Sequence, residues 1–323
     1  MNNFHVYKKT LVFSFIRFFL GLLSLLILAG AIIGGFFIME KVNNKGLIGL
    51  AIGLVVGVIV CILINIFVDN RFQAAQIGMM ATGVADGKLP DHIVSAGLKE
   101  VKGRFAKLTL FFMVTGAIKG IFRQIGNGLN KVGRAVGGDV GEGVTSAINT
   151  GIQILIGYLC DCCLGWVMYN KNVGVAKAAC QGAVIFFKHG KTLIRNVGRI
   201  FGMGFLSLAV FGGGFFGLGV LISKQFPQMF TTLSKEIIEF STRENVNIAA
   251  WVTEPNNLML IASGIVALIL WSMIHSLLIR PFILVGVLRN FMTAGLKDRP
   301  TEEEFNELSS KFPKFAKLQK RTE

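Results

Sequence analysis

Residues 172–196 read NVGVAKAACQGAVIFFKHGKTLIRN and run straight into residues 197–222, VGRIFGMGFLSLAVFGGGFFGLGVLI. The first half carries Lys177, Lys188, His189, Lys191 and Arg195 among Val175, Ala179, Val184, Ile185, Phe186, Phe187 and Ile194. The second half holds one charge, Arg199, near its start. A helix needs roughly 20 mostly apolar residues to cross about 30 Å of hydrocarbon. The junction therefore predicts a basic amphipathic helix on a membrane surface, followed by a helix that turns in and crosses.

Composition extends that reading to the whole chain. The sequence is 53% hydrophobic and 16% charged, with a mean hydropathy of +0.62, which excludes an ordinary soluble domain. Its 39 glycines and 28 phenylalanines suit helices that pack closely in lipid. A net charge of +15 would suggest nucleic acid in a soluble protein. Here no recognition fold accompanies it, and the basic residues sit beside apolar runs. Anionic lipid headgroups are the expected partner, and no nucleic acid. Cys61, Cys160, Cys162, Cys163 and Cys180 all lie in or beside apolar segments, so no secreted disulfide framework is expected.

The expected fold is all-α, a polytopic helical membrane protein of about six spans with cytoplasmic-side interfacial helices. The spans fall near 11–39, 47–68, 105–125, 147–169, 197–222 and 258–279, within one integral membrane domain over 1–296. The first apolar run is about twice the length of a signal-peptide core, so it is expected to be retained. Arg17 lies about a turn inside it and can snorkel. A short polar turn, 40–46, makes the first two spans a hairpin. Gly30/Gly34 and Gly53/Gly57 are the GxxxG pairs expected to bring the helices together. Residues 69–107 read as a basic connection lying on the membrane. Arg280-Pro281 is expected to interrupt the sixth span, leaving 282–294 as a kinked continuation or an interfacial helix. The polar tail, 297–323, contains a capping box, Thr301 with Glu304, which predicts a helix from about Thr301 to Ser310.

Lysines and arginines set the expected orientation. Segments 69–107 and 170–199 hold six each, more than the loops between them. The positive-inside rule then puts both termini in the cytoplasm. Within these segments Lys99, Lys102, Arg104, Lys107, Lys188, Lys191 and Arg195 are the expected headgroup contacts. Segments 69–125 and 170–222 share an order, basic surface segment then glycine-containing span, without clear residue identity.

Little in the chain points to chemistry. Cys160-Asp161-Cys162-Cys163 offers thiolates and a carboxylate for a soft metal or a redox pair. Consecutive helical residues point about 100° apart, however, so the four cannot converge on one ion. Asp161 is an acid about two turns inside its span, where charge is costly and often functional. Lys119, His275 and Arg280 are its candidate partners, either in a structural ion pair or in a proton or cation site. His275 suits proton transfer or a buried hydrogen bond. Gly212-Gly213-Gly214 with Gly217 and Gly219 reads as a close-packing face or as a broken transporter helix. The glycine-rich 126–143 lacks the lysine and hydroxyl of a phosphate loop. No nucleophile-base pair is legible, so neither enzyme activity nor a cofactor is expected.

Five motifs carry a family resemblance: DGKLP (86–90), GLKEVKGRFAKL (97–108), AKAACQGAVIFFKHGKTLIRN (176–196), RPFILVGVLRNF (280–291) and PTEEEFNELSSKFPKF (300–315). In these the chain resembles uncharacterised bacterial multi-pass membrane proteins. The resemblance implies a bacterial cytoplasmic membrane and assigns no activity to any residue. Two functional classes stay open. One is a structural or interaction protein contacting anionic lipid, a membrane partner or a second copy. The other is a small-solute or ion transporter with Asp161 and His275 in its pathway.

Overall fold

The computed structural model describes residues 1–43, 46–104, 116, 119–120, 142–243 and 247–320, and every regular element among them is helical. Four helical runs are long and apolar enough to cross a membrane: Asn3–Val42, Ala51–Ala85, Gly198–Ser223 and Pro255–Lys297. They contain the first and sixth predicted spans and cover most of the second and fifth. The third, 105–125, lies almost wholly outside the described residues. The fourth is corrected in part. Helix α5 (Glu142–Tyr169) forms, but its apolar part, Gln153–Tyr169, is shorter than a span, and Tyr158 to Met168 are all buried in protein.

The chain divides into two compact units, Met1–Ile200 with Pro281–Glu323, and Phe201–Arg280. The first unit begins with α1 (Asn3–Asn43) and α2 (Gly46–Ile64). Their interface is backbone on backbone. A Cβ on Gly35 would lie 2.3 Å from the Gly49 carbonyl oxygen, and one on Gly53 would lie 2.1 Å from that of Ala31. Only glycine allows this approach. The expected pair is thus half right: Gly53 and Gly57 are in the seam, but Gly30 and Gly34 have nothing within 4 Å, and Ala31 and Gly35 face the partner helix instead.

A π-turn, π1 (Asn65–Asp69), leads from α2 into α3 (Asn70–Ala85), and burial changes abruptly there. Among described side chains from Ile48 to Gln73, only the three packing glycines are buried; from Ala74 to Ala81 every residue is. In α1 the matching change comes after Ser14, with Thr10, Phe13 and Ser14 buried and none of Phe15 to Val42. At 41 residues α1 is about 61 Å long, twice the hydrocarbon thickness. Half of it is therefore free to pack on protein.

That packing builds a helical body. Helix α3 lies on α1, α4 (Ile93–Arg104) and α5, and α6 (Val175–Lys188) lies on α5. Trp166 of α5 meets Phe291 of α12 (Arg280–Lys297) edge to face and donates its indole N–H to Gln181 of α6 at 3.1 Å. The predicted surface connection over 69–107 is, through α3, part of this core. So is the apolar face of α6, from Ala178 to Ile185. Burying a fully apolar side chain yields about 1.5–3 kcal/mol, so the part of α3 from Ala74 to Ala81, buried all round, is worth more inside protein than on a headgroup layer.

The Arg280-Pro281 break is also revised. The run Pro255–Lys297 is helical throughout, because a π-turn, π3 (His275–Ile279), precedes the proline. The Arg280 N–H reaches back five residues to the His275 carbonyl. The wider turn accommodates a ring that would clash in a regular helix. Pro281 is buried, as are Ile283 to Leu288. The tail forms α13 (Glu302–Lys311), opened by the expected capping box at Thr301 and Glu304, and α14 (Pro313–Gln319).

The second unit holds the end of α7 (Gly190–Ser207), a π-turn π2 (Leu208–Gly212), α8 (Gly213–Ser223), α9 (Pro227–Arg243), α10 (Ala250–Thr253), α11 (Pro255–Ile274) and π3. Gly219 of α8 packs on Ser263 of α11, whereas Gly213, Gly214 and Gly217 meet nothing within 4 Å.

Candidate functional site

In the first unit, polar side chains line one face of π1 and α3. Asp69, Gln73 and Gln76 are spaced by four and three residues, which stacks them on one side of a helix. Asp69 accepts two hydrogen bonds from Arg17, Nε to Oδ1 at 2.8 Å and Nη2 to Oδ2 at 3.0 Å. Gln73 donates to Asp161 at 3.3 Å. Gln76 donates to Ser14 Oγ at 2.7 Å and to the Thr10 carbonyl at 3.3 Å. Arg17, Ser14 and Thr10 repeat the same spacing on α1. The result is a ladder of paired polar groups that starts where burial begins and runs into the body. Thr10, Ser14, Gln76 and Asp161 are all buried, so each bond there replaces a lost contact with water.

Asp161 is thus surrounded by protein of the first unit, at the level of Gln73. His275 and Arg280 belong to the second unit. Lys119 is an exposed helical residue. The four residues proposed as one intramembrane polar site are divided between two units. His275 has its own partners. Its Nδ1 is 3.2 Å from Ser207 Oγ, which also accepts from Trp271 Nε1 at 3.2 Å, and the indole and imidazole rings are 5.3 Å apart. Ser207 immediately precedes π2 and His275 opens π3. Two π-turns therefore begin at one inter-helix hydrogen bond, in keeping with the frequency of such turns at functional positions.

The expected headgroup cations have diverse positions. Lys99 and Lys102 are exposed on α4. Arg104 has partners within the protein: its guanidinium donates to the carbonyls of Val167, Asn170, Lys171 and Val173 at 2.7–3.2 Å. The last carbonyls of a helix have no partners within it, and a cation there also complements the helix dipole. Arg104 closes the end of α5. Lys188 is held by Asp298 and Glu304, both at 2.7 Å, and Lys177 by Glu302 at 3.1 Å, so these lysines dock the tail. Lys107 and the side chains of Lys191 and Arg195 lie outside the described residues.

Cys160, Cys162 and Cys163 are buried free thiols, and Cys163 packs on Gly182 of α6. Among the described residues no group of three His, Cys, Asp or Glu is arranged to hold a metal. Burial pushes the Cys180 thiol up to about 12, so it stays protonated at neutral pH and is no nucleophile.

Sequence reasoning missed Gln73, Gln76 and Ser207. The 69–73–76 spacing was a usable signal, but glutamine and serine are too common in helices to single out without their partners. Comparison of the chain with protein families, with curated proteins and with solved structures finds no match.

Proposed function

We propose that this is an integral membrane protein of structural or interaction type. Its exposed apolar helices lie in lipid, and its helical body grips anionic lipid or a membrane partner through basic residues within 88–107 and 175–195. The carrying observation is the burial change at Arg17 and Asp69. Beyond it α1 and α2 present apolar side chains to their surroundings on every face but the glycine seam. On the other side of it the start of α1 and the length of α3 from Ala74 enter a protein core. Lys99 and Lys102, exposed on that body, support the headgroup contact. The lysine and arginine distribution supports a reading in which the body and both termini face the cytoplasm, and the motif resemblance supports a bacterial inner membrane.

Mass spectrometry of lipid retained on the purified protein tests the reading. Anionic lipid enriched over the bulk membrane, and lost with Lys99→Gln and Lys102→Gln, is expected. Recovery without any anionic preference would count against it. Labelling single cysteines placed in 225–242 tests orientation, with reaction expected from the outside only.

A second reading, a small-solute or ion transporter, is favoured by the buried polar ladder and by the paired π-turns at Ser207 and His275. Proteoliposome flux that is lost with Asp161→Asn or His275→Gln, with folding kept, would select it.

A further inference from the structure

The segment between the last two candidate spans contains α9, whose edges differ in character. Phe230 and Ser234 are buried, and the Ser234 hydroxyl donates to the Thr253 carbonyl at 2.5 Å, tying α9 to α10. Gln228, Thr231, Lys235 and Glu239 occupy the polar arc. Phe226, immediately before the helix, with Met229 and Leu233 inside it, spaced by three and four residues, forms an apolar stripe next to Phe230. They are 59%, 59% and 41% exposed. Trp251 of α10 is 62% exposed, and its carbonyl is fixed by the Asn257 amide at 2.9 Å.

Chain connectivity says what meets this surface. Phe226 follows the end of Gly198–Ser223 by three residues, a reach of at most about 10 Å. Trp251 precedes the start of Pro255–Lys297 by four. In sequence the stripe starts four residues after Ile222, which with Leu221 is exposed in the last turn of the preceding span. Between 224 and 257 there are three basic and four acidic residues, so nothing here calls for an anionic surface. Tryptophan is also the residue most favoured at the level of the headgroups.

We infer that α9 is a membrane-surface helix, its Phe226–Met229–Leu233 edge and Trp251 seated in the interface of a zwitterionic bilayer. Burying that edge holds the ends of α8 and α11 at the membrane boundary. The inference rests on the chain being membrane-embedded and not on the anionic-lipid grip proposed for the body.

The test is tryptophan fluorescence of the full-length protein in phosphatidylcholine vesicles. Bromines are placed near the glycerol end or near the methyl end of the acyl chains. Subtracting the Trp251→Phe variant isolates Trp251. Its emission is expected to be blue-shifted, quenched more by shallow than by deep bromines, poorly quenched by aqueous iodide, and unchanged when anionic lipid is added. Met229→Glu with Leu233→Glu is expected to abolish the bromine quenching and restore iodide access. Iodide quenching of wild-type Trp251 without bromine quenching overturns the inference. So does shielding from both quenchers, which would mean that protein covers the stripe. Bromine quenching that survives the glutamate variant removes the stripe from the account. The signal remaining in Trp251→Phe includes Trp271, inside Pro255–Lys297. If bromines fail to quench that as well, membrane embedding itself is refuted.

Discussion

Arg17 and Asp69 form a two-pronged ion pair across α1 and π1, 52 residues apart in sequence, at the level where the exposed hairpin becomes a buried core. Both side chains are about four-fifths covered, so neither charge has full access to water. An unpaired charge in that position has lost solvation without compensation. The pair also sits at the end of a π-turn, since the Asn70 N–H bonds back five residues to the Asn65 carbonyl. The π-turn shifts the register of the helix after it, and Asp69 is its last residue.

Arg17→Ala should destabilise the first unit by about 1–3 kcal/mol, toward the low end because the pair is not fully buried. Replacing both residues, Arg17→Met with Asp69→Leu, should restore part of the loss. Thermal unfolding in nanodiscs reads both. A single alanine variant as stable as wild type would remove the pair from the account.

Gly35→Val should cost about 1–3 kcal/mol or force the hairpin apart, because its Cβ would meet the Gly49 carbonyl. Gly34→Val, one residue away and facing open space, should be nearly silent. Equal effects of the two substitutions on thermal stability would contradict the seam.

Arg104→Ala should release the carbonyls that end α5 and cost about 2–4 kcal/mol, summing several charge-assisted hydrogen bonds discounted for partial exposure. Lysine should rescue poorly, since one ammonium cannot reproduce the fork. Hydrogen exchange at 167–173 locates the effect. Protection there that is unchanged in Arg104→Ala would exclude the capping role.

Tail docking should weaken in acid. The hydrogen bond from Lys188 holds the Asp298 carboxyl below its ordinary value of 3.8. For Glu304, burial acts upward, but bonds from Lys188 and the Thr301 backbone hold it below 4.5. Groups depressed in the folded state stabilise it above their unfolded values and lose that contribution as pH falls through the folded ones. Protection factors in α13 and α14, taken against the intrinsic exchange rate at each pH, should therefore be high at neutral pH and fall below about pH 4. High salt should mimic part of this, because the pairs are exposed. Protection that stays constant down to pH 3 would be inconsistent with ion-paired docking.

The sequence by itself determined the class of molecule. Runs such as 11–39 and 47–68 are too long and too apolar for anything but a membrane or a large core, and composition alone reports that. It also marked local devices whose partners are neighbours in the chain, such as the Thr301–Glu304 capping box that opens α13. What it left undecided was which solvent each apolar segment meets. Residues 74–81 and 283–288 are buried by protein, while 19–38 and 48–67 present their apolar side chains outward. Hydropathy measures aversion to water and is blind to whether a side chain or a lipid tail supplies the alternative. Arg104 shows the same limit for charge: a basic residue beside an apolar run suits a headgroup, and only the fold brings the open end of α5 within its reach. Gln73 and Asp161 meet across 88 residues, and no local pattern encodes such a pair. Tertiary structure decides these cases because burial and pairing depend on neighbours brought together in space.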